Sequence, residues 1–271
     1  MSLNDAYNIY ETIEHISAIG VRKSKQKIDH MIIKSFLAGV LLSFGGLFCL
    51  TVGGGNTLLA QNFGPGIHKT IQAAVFPISF ILVIVTGEDL FIGNTMVLVI
   101  STLHIKTTWI NLLILWSISF CGSLIGFICF QYFLVYHAGL LTYDPYLSYT
   151  IKYAELKGNT PCARDLNSKI IGIYLPIWLF VAVGYEHSTA NMFTVQMGML
   201  LGANLSIGNY ILNVLIPVTL GNILGGGIFV GFIYWHLYLA KQPDNDINIG
   251  MKILNKDVYL GVKQHDDIIQ S

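Results

Sequence analysis

Charged residues divide the chain into long runs that contain none: Ser35–His68, Thr70–Gly87, Leu90–Ile105, Thr107–Tyr143, Ile170–Tyr185 and His187–Ala240. A helix needs about 20 apolar residues to cross a bilayer. The runs accommodate a first helix over Met31–Val52, a second over Ile71–Leu103, a third over Trp109–Val135, another over Ile170–Leu205 and a last over Tyr210–Leu239. A turn at about Ser206–Asn209 separates the final two. Before the first span, Asp5 can cap a helix that carries Ala6, Ile9, Tyr10, Ile13, Ile16 and Ile19 on one face. Such a helix suits either the membrane surface or packing against the bundle. The chain thus divides into an amphipathic surface helix and basic segment (1–30), a membrane domain (31–240) and a polar tail (241–271) expected in the cytoplasm.

Composition strengthens this reading. Of 271 residues, 54% are apolar and 11% charged, with mean hydropathy +0.62, against about 25% charged in soluble domains. Too few polar residues remain to coat a globule in water, so an all-α polytopic membrane protein is expected. Arg22, Lys23, Lys25 and Lys27 precede the first span and place the N-terminus in the cytoplasm, with the plasma membrane as the expected location. Residues 1–20 have no apolar core, so no cleavable signal is expected. Fifteen basic and fifteen acidic residues cancel and leave no field to attract nucleic acid. Cys49, Cys121, Cys129 and Cys162 form no C-x-x-C pair, so no disulfide framework, metal site or other cofactor is expected.

The two halves of the chain repeat. Gly87-Glu88-Asp89-Leu90-Phe91-Ile92-Gly93-Asn94 matches Gly184-Tyr185-Glu186-His187-Ser188-Thr189-Ala190-Asn191 in its leading Gly, its acid, its small residue and its closing Asn. Gly122-Ser123-x-x-Gly126 and Gly221-Asn222-x-x-Gly225 follow the two copies at spacings that agree to within a helical turn. Internal repeats of this kind build transporter folds. Each copy sets a carboxylate inside an apolar segment, where an unpaired charge is expensive. Gly87, Asp89, Asn94, Gly184, Glu186 and Asn191 therefore read as the structural residues of two helix breaks, with Asp89 and Glu186 accepting from backbone N–H groups that the breaks free. The small residues Gly122, Gly126, Gly221, Gly225, Gly226 and Gly227 allow close helix approach. His187 is the mid-membrane group whose charge can change near neutral pH, although apolar surroundings favour its neutral ring. A histidine satisfied by packing is the plain alternative. His68, His104, His137 and His236 stand at the ends of apolar runs and read as interfacial.

Thr86-Gly87-Glu88-Asp89-Leu90-Phe91-x-Gly93-Asn94, Gly184-Tyr185-Glu186-His187-Ser188-x-Ala190-Asn191-Met192 and Ile216-Pro217-Val218-Thr219-x-Gly221-Asn222-x-x-Gly225-Gly226 closely resemble the formate/nitrite transporter family, over about Ala6 to Lys241. The resemblance implies an aquaporin-like inverted-repeat bundle with broken second and fifth helices. It further implies a homopentamer with a pore in each subunit, passing small monovalent weak-acid anions (formate, nitrite, acetate, lactate) together with protons, in contact with membrane lipid. On this resemblance His187 is the central proton relay, and Asn222 lines the chamber. Phe76, Phe80, Leu90, Phe91 and Phe180 form the apolar constrictions, and Lys157 is the basic residue at a pore mouth. The physical logic is that ionic desolvation costs several kcal/mol or more, whereas a neutral acid passes apolar rings easily.

Two departures stand out. Ile92 occupies the place where the family usually has a Thr able to hydrogen-bond the central histidine. More seriously, the fourth helix is missing. Gly139–Lys169 contains Asp144, Lys152, Glu155, Lys157, Arg164 and Asp165 and cannot span a bilayer. The segments that flank the family's fourth helix nearly abut at Pro161-Cys162, as if about 20–25 residues, one bilayer span, had been removed. Five crossings from a cytoplasmic N-terminus would put the tail outside. Either the polar link threads back through the bundle, or the chain is a shortened variant or a mispredicted gene. Two functions follow: proton-coupled anion transport, or a non-transporting membrane subunit that modulates intact family members. A neutral-solute pore is disfavoured because no Asn-Pro-Ala stands at either break. A haem carrier lacks paired deep histidines, and an enzyme lacks a nucleophile, phosphate-binding or metal-ligand motif.

Overall fold

A computed structural model of the chain describes residues 8–159 and 187–240, and every regular element among them is helical. The helices are α1 (Ile9–Ser24), α2 (Ile28–Gly55), α3 (Thr57–Phe63), α4 (Pro65–Val75), α5 (Pro77–Thr86), α6 (Phe91–Leu103), α7 (Trp109–Tyr136), α8 (Tyr146–Asn159), α9 (Ser188–Leu200) and α10 (Ile207–Tyr238). Among the described residues, four stretches are long and apolar enough to cross a membrane: Ile28–Gly55, Pro65–Thr86, Trp109–Tyr136 and Ile207–Tyr238. Large apolar side chains such as Ile110, Leu212 and Phe229 point outward from them, as a lipid solvent permits.

The N-cap of α1 is Asn8. Its Oδ1 accepts from the Glu11 N–H at 2.9 Å, and the Glu11 carboxylate accepts from the Asn8 N–H at 2.8 Å. This reciprocal box needs a Glu or Gln three residues on. Asp5, the expected cap, has Asn8 at that place and lies outside the described residues. α1 buries Ile13, Ser17 and Gly20, with Ile13 packed beside Ile100 of α6 and Leu239.

α2 and α7 form the tightest seam. A Cβ on Gly39 would collide with the Ser123 carbonyl oxygen, and one on Gly126 with the Phe36 carbonyl oxygen. Gly122 likewise abuts Ser35, Gly226 abuts Thr95 and Gly227 approaches Val99, whereas Gly221 faces open space. Around the seam a buried apolar cluster gathers Leu42, Leu50, Phe76, Phe80, Leu90, Phe127, Met192 and Phe193. α7 widens into π-helical turns over Phe130–Tyr136, and α10 does so over Tyr210–Leu215 and Leu224–Phe232.

The turn expected at Ser206–Asn209 falls earlier. α9 ends at Leu200, Gly202 takes φ +100°, and Ser206 caps α10 by accepting from the Asn209 N–H. A serine that can satisfy a free helical donor starts the helix rather than prolonging the turn. Within the polar stretch Gly139–Lys169, α8 packs on α9, with Ala154 set against Gly198.

Candidate functional site

Two short helices start at equivalent places in the repeat. α6 begins after its N-cap Leu90 and α9 after its N-cap His187, and each is 13 residues long. The turn before α6 is built by Gly87, whose φ of +70° belongs to the left-handed region, where a side chain would be strained. The chain leaves helical geometry over residues 87–90. Lys34 Nζ donates to the Gly87 carbonyl oxygen at 3.2 Å, neutralising the negative end of α5.

Asp89 is buried, but its partner is not the freed backbone. Neither carboxylate oxygen accepts from a backbone N–H. Instead Lys23 Nζ reaches in from α1 to 2.6 Å from Asp89 Oδ1 and donates to Asn94 Oδ1 at 2.7 Å. A full positive charge compensates a desolvated carboxylate far better than a dipole does, and α1 is anchored close enough to supply it. In the sequence Lys23 carries only an orientation signal. Replacing Lys23 by Ala leaves a buried carboxylate alone, a loss of about 3–5 kcal/mol. The thermal midpoint followed by intrinsic fluorescence should fall sharply in Lys23→Ala and recover in Lys23→Ala/Asp89→Asn; a double variant as unstable as the single one would refute the pairing.

α1 and α8 stand in similar relations to the two short helices. Gly20 of α1 abuts Ser101 of α6, and Ala154 of α8 abuts Gly198 of α9. Ser101 and Gly198 lie equally far beyond Asn94 and Asn191. Lys23 follows Gly20 at the spacing with which Lys157 follows Ala154. Lys157 also places its Nζ 5.9 Å from the Tyr153 ring centroid.

His187 has 9% of its surface exposed, and its Nδ1 accepts from the Ala190 N–H as the N-cap of α9. The Phe80 ring meets the imidazole edge-on, with centroids 5.4 Å apart at 90°. Phe76 packs on Phe80 at 5.7 Å, and Leu90 joins the same apolar cluster. Phe91 does not: its ring packs on Trp116 and Phe120 of α7. Asn222 is buried, and its Nδ2 donates to the Val218 carbonyl oxygen of its own helix at 2.6 Å. Phe180, Gly184 and Glu186 lie outside the described residues. Asn191 is buried near the start of α9, as Asn94 is near the start of α6.

Of the histidines at run ends, His104 has a packing role. It caps α6, and its Nδ1 lies 2.9 Å from Ser17 Oγ of α1. Burial first, and Lys106 second, lower its pKa to about 4, so it holds α1 as a neutral ring. His68 Nδ1 lies 3.1 Å from the Asn56 carbonyl oxygen.

The sequence profile described as Formate/nitrite transporter matches residues 10–163 and 159–236. This chain belongs to the formate/nitrite transporter family. The family match makes it an integral membrane protein, and its relatives are transporters or channels rather than enzymes. A probable formate transporter of Methanothermobacter thermautotrophicus is 34% identical over 268 residues, covering 85% of this chain and 97% of that one. The formate channel FocA of Escherichia coli is 29% identical over 266 residues, covering 82% and 91%. A solved FNT family ion channel superposes with a TM-score of 0.71 at 23% identity, covering 83% of this chain and 98% of that one. A pentameric formate channel with formate bound gives 0.62 at 25%, covering 78% and 98%. The formate/nitrite transporter fold thus accounts for the all-helical bundle.

Proposed function

We propose that the chain forms a proton-coupled pathway for small monovalent weak-acid anions, with formate the first to test, in a pentamer of identical subunits. The observation that carries the reading is the contact of His187 with Phe80 inside an apolar cluster that also holds Phe76 and Leu90. Apolar rings resist a bare carboxylate, because stripping its water costs several kcal/mol. They pass the neutral acid. An anion drawn to a mouth by a basic group such as Lys157 becomes a stronger base as the dielectric falls. His187 then supplies or steadies the proton beside Phe80, Asn222 lines the chamber beyond, and Phe91 and Phe180 complete the constrictions. The relatives named for formate support the choice of substrate class.

A second reading, a non-transporting subunit that modulates intact family members, has its own support. The family profile matches in two stretches that meet at 159–163, within the stretch where the sequence pattern leads one to expect no fourth helix. The alignment with the Methanothermobacter relative also runs for 268 residues while only 85% of the 271 here take part. That relative therefore carries residues this chain does not.

Purified chain reconstituted in liposomes separates the two. Formate uptake that rises with an inward proton gradient and vanishes when the gradient is collapsed supports the first reading. A pentamer that assembles, moves no formate and lowers flux when mixed with an intact family member supports the second and overturns the first.

A further inference from the structure

The half of the repeat that carries the histidine also carries a hydroxyl that its counterpart lacks. Thr189 and Ile92 occupy the same place in the two copies. Thr189 is fully buried, and its Oγ1 lies 2.9 Å from His187 Nδ1. The same nitrogen takes the Ala190 N–H at 3.4 Å. An amide N–H can only donate, so in the neutral ring Nδ1 is an acceptor and the proton sits on Nε2. At 3.4 Å the amide is a weak anchor, and the threonine hydroxyl is the short contact of the two.

We propose that Thr189 is the positioning residue of His187: by donating to Nδ1 it holds the ring in the Nε2–H form, with its proton on the edge away from the helix. Its backbone sits in the first turn of α9, two residues from the histidine, so the hydroxyl and the ring move as one unit. Valine at this place would keep the shape of threonine and lose the donor. The ring would then exchange between Nε2–H and Nδ1–H forms, and a proton would stand on Nε2 for only part of the time. The functional consequence rests on the reading of His187 as a proton relay, while the tautomer itself does not.

The test is nitrogen NMR of histidine-labelled protein in lipid bilayers, with the His187 signals assigned by their loss in His187→Gln. The native chain and Thr189→Ser should show one ring form, protonated on Nε2. Thr189→Val should show both forms, with formate uptake reduced about tenfold, the weight of one hydrogen bond. Thr189→Ala removes the same donor with less bulk and should repeat the result if the valine variant fails to fold. A single Nε2–H form in both hydroxyl-free variants overturns the proposal. Mixed forms with unchanged formate uptake leave Thr189 in place as the positioning residue and count instead against the relay.

Discussion

Replacing His187 by alanine is expected to abolish proton-driven formate uptake across pH 5–8. The imidazole supplies two separable things, an N-cap for α9 and a titratable ring beside Phe80. Losing the cap costs about 1 kcal/mol, too little to unfold a bundle anchored by the α2–α7 seam. His187→Asn keeps a good capping side chain and removes the ring chemistry, so it isolates the second contribution. Both variants should fold and fail to accumulate labelled formate in proteoliposomes. Native uptake in either one would eliminate the proposed relay. Uptake lost in alanine but kept in asparagine would reduce His187 to a cap.

Leucine at Gly126 is expected to prevent folding altogether. The obstruction is backbone: a Cβ there meets the Phe36 carbonyl oxygen, and the Gly39 Cα lies 3.2 Å away. A flexible side chain could swing aside, but two helix backbones can only separate. Separation would strip Leu42, Phe127 and their neighbours of contacts, and overpacking of one residue already costs about 1–3 kcal/mol when the surroundings can adjust. Gly126→Ala should lower the thermal midpoint, and Gly126→Leu should leave no monodisperse species in size-exclusion chromatography. Gly221→Ala, at a glycine with open space around it, should behave as the native chain. A well-behaved Gly126→Leu would mean that the seam is not what holds the bundle.

Much of the helical framework was legible because membrane solvation is severe. A span must exclude charge for about 20 residues, so the runs between charged residues locate α2, α7 and α10 directly. The starts of α6 and α9 were readable in outline from two Gly-acid-small-Asn copies. The N-cap was readable too, because Asn8 and Glu11 stand at capping-box spacing, although Asp5 is an equally good capping type three residues earlier. Lys23 was visible as a residue and opaque as a partner. Its contact with Asn94 joins positions 71 apart, on helices whose mutual placement no periodicity encodes. Phe91 shows the same limit. Its place beside Leu90 says nothing of its rotamer, and the ring follows the start of α6 toward Trp116 and Phe120 while Leu90 joins the cluster around Phe80.

The sequence by itself determined the solvent of this protein, its repeat, its family resemblance and the residues able to change charge in mid-membrane. Those properties depend on which side chains occur at which spacing, and spacing is preserved whatever the fold. Tertiary structure alone decided that α1 delivers a lysine to Asp89, that His187 caps α9 while facing Phe80, and that Thr189 supplies the short hydrogen bond to its ring. The lysine and phenylalanine contacts act over a few ångströms between residues far apart in the chain. The cap and the threonine bond are local, but they depend on where α9 begins and how its first turn is set against α5, and that is fixed by packing.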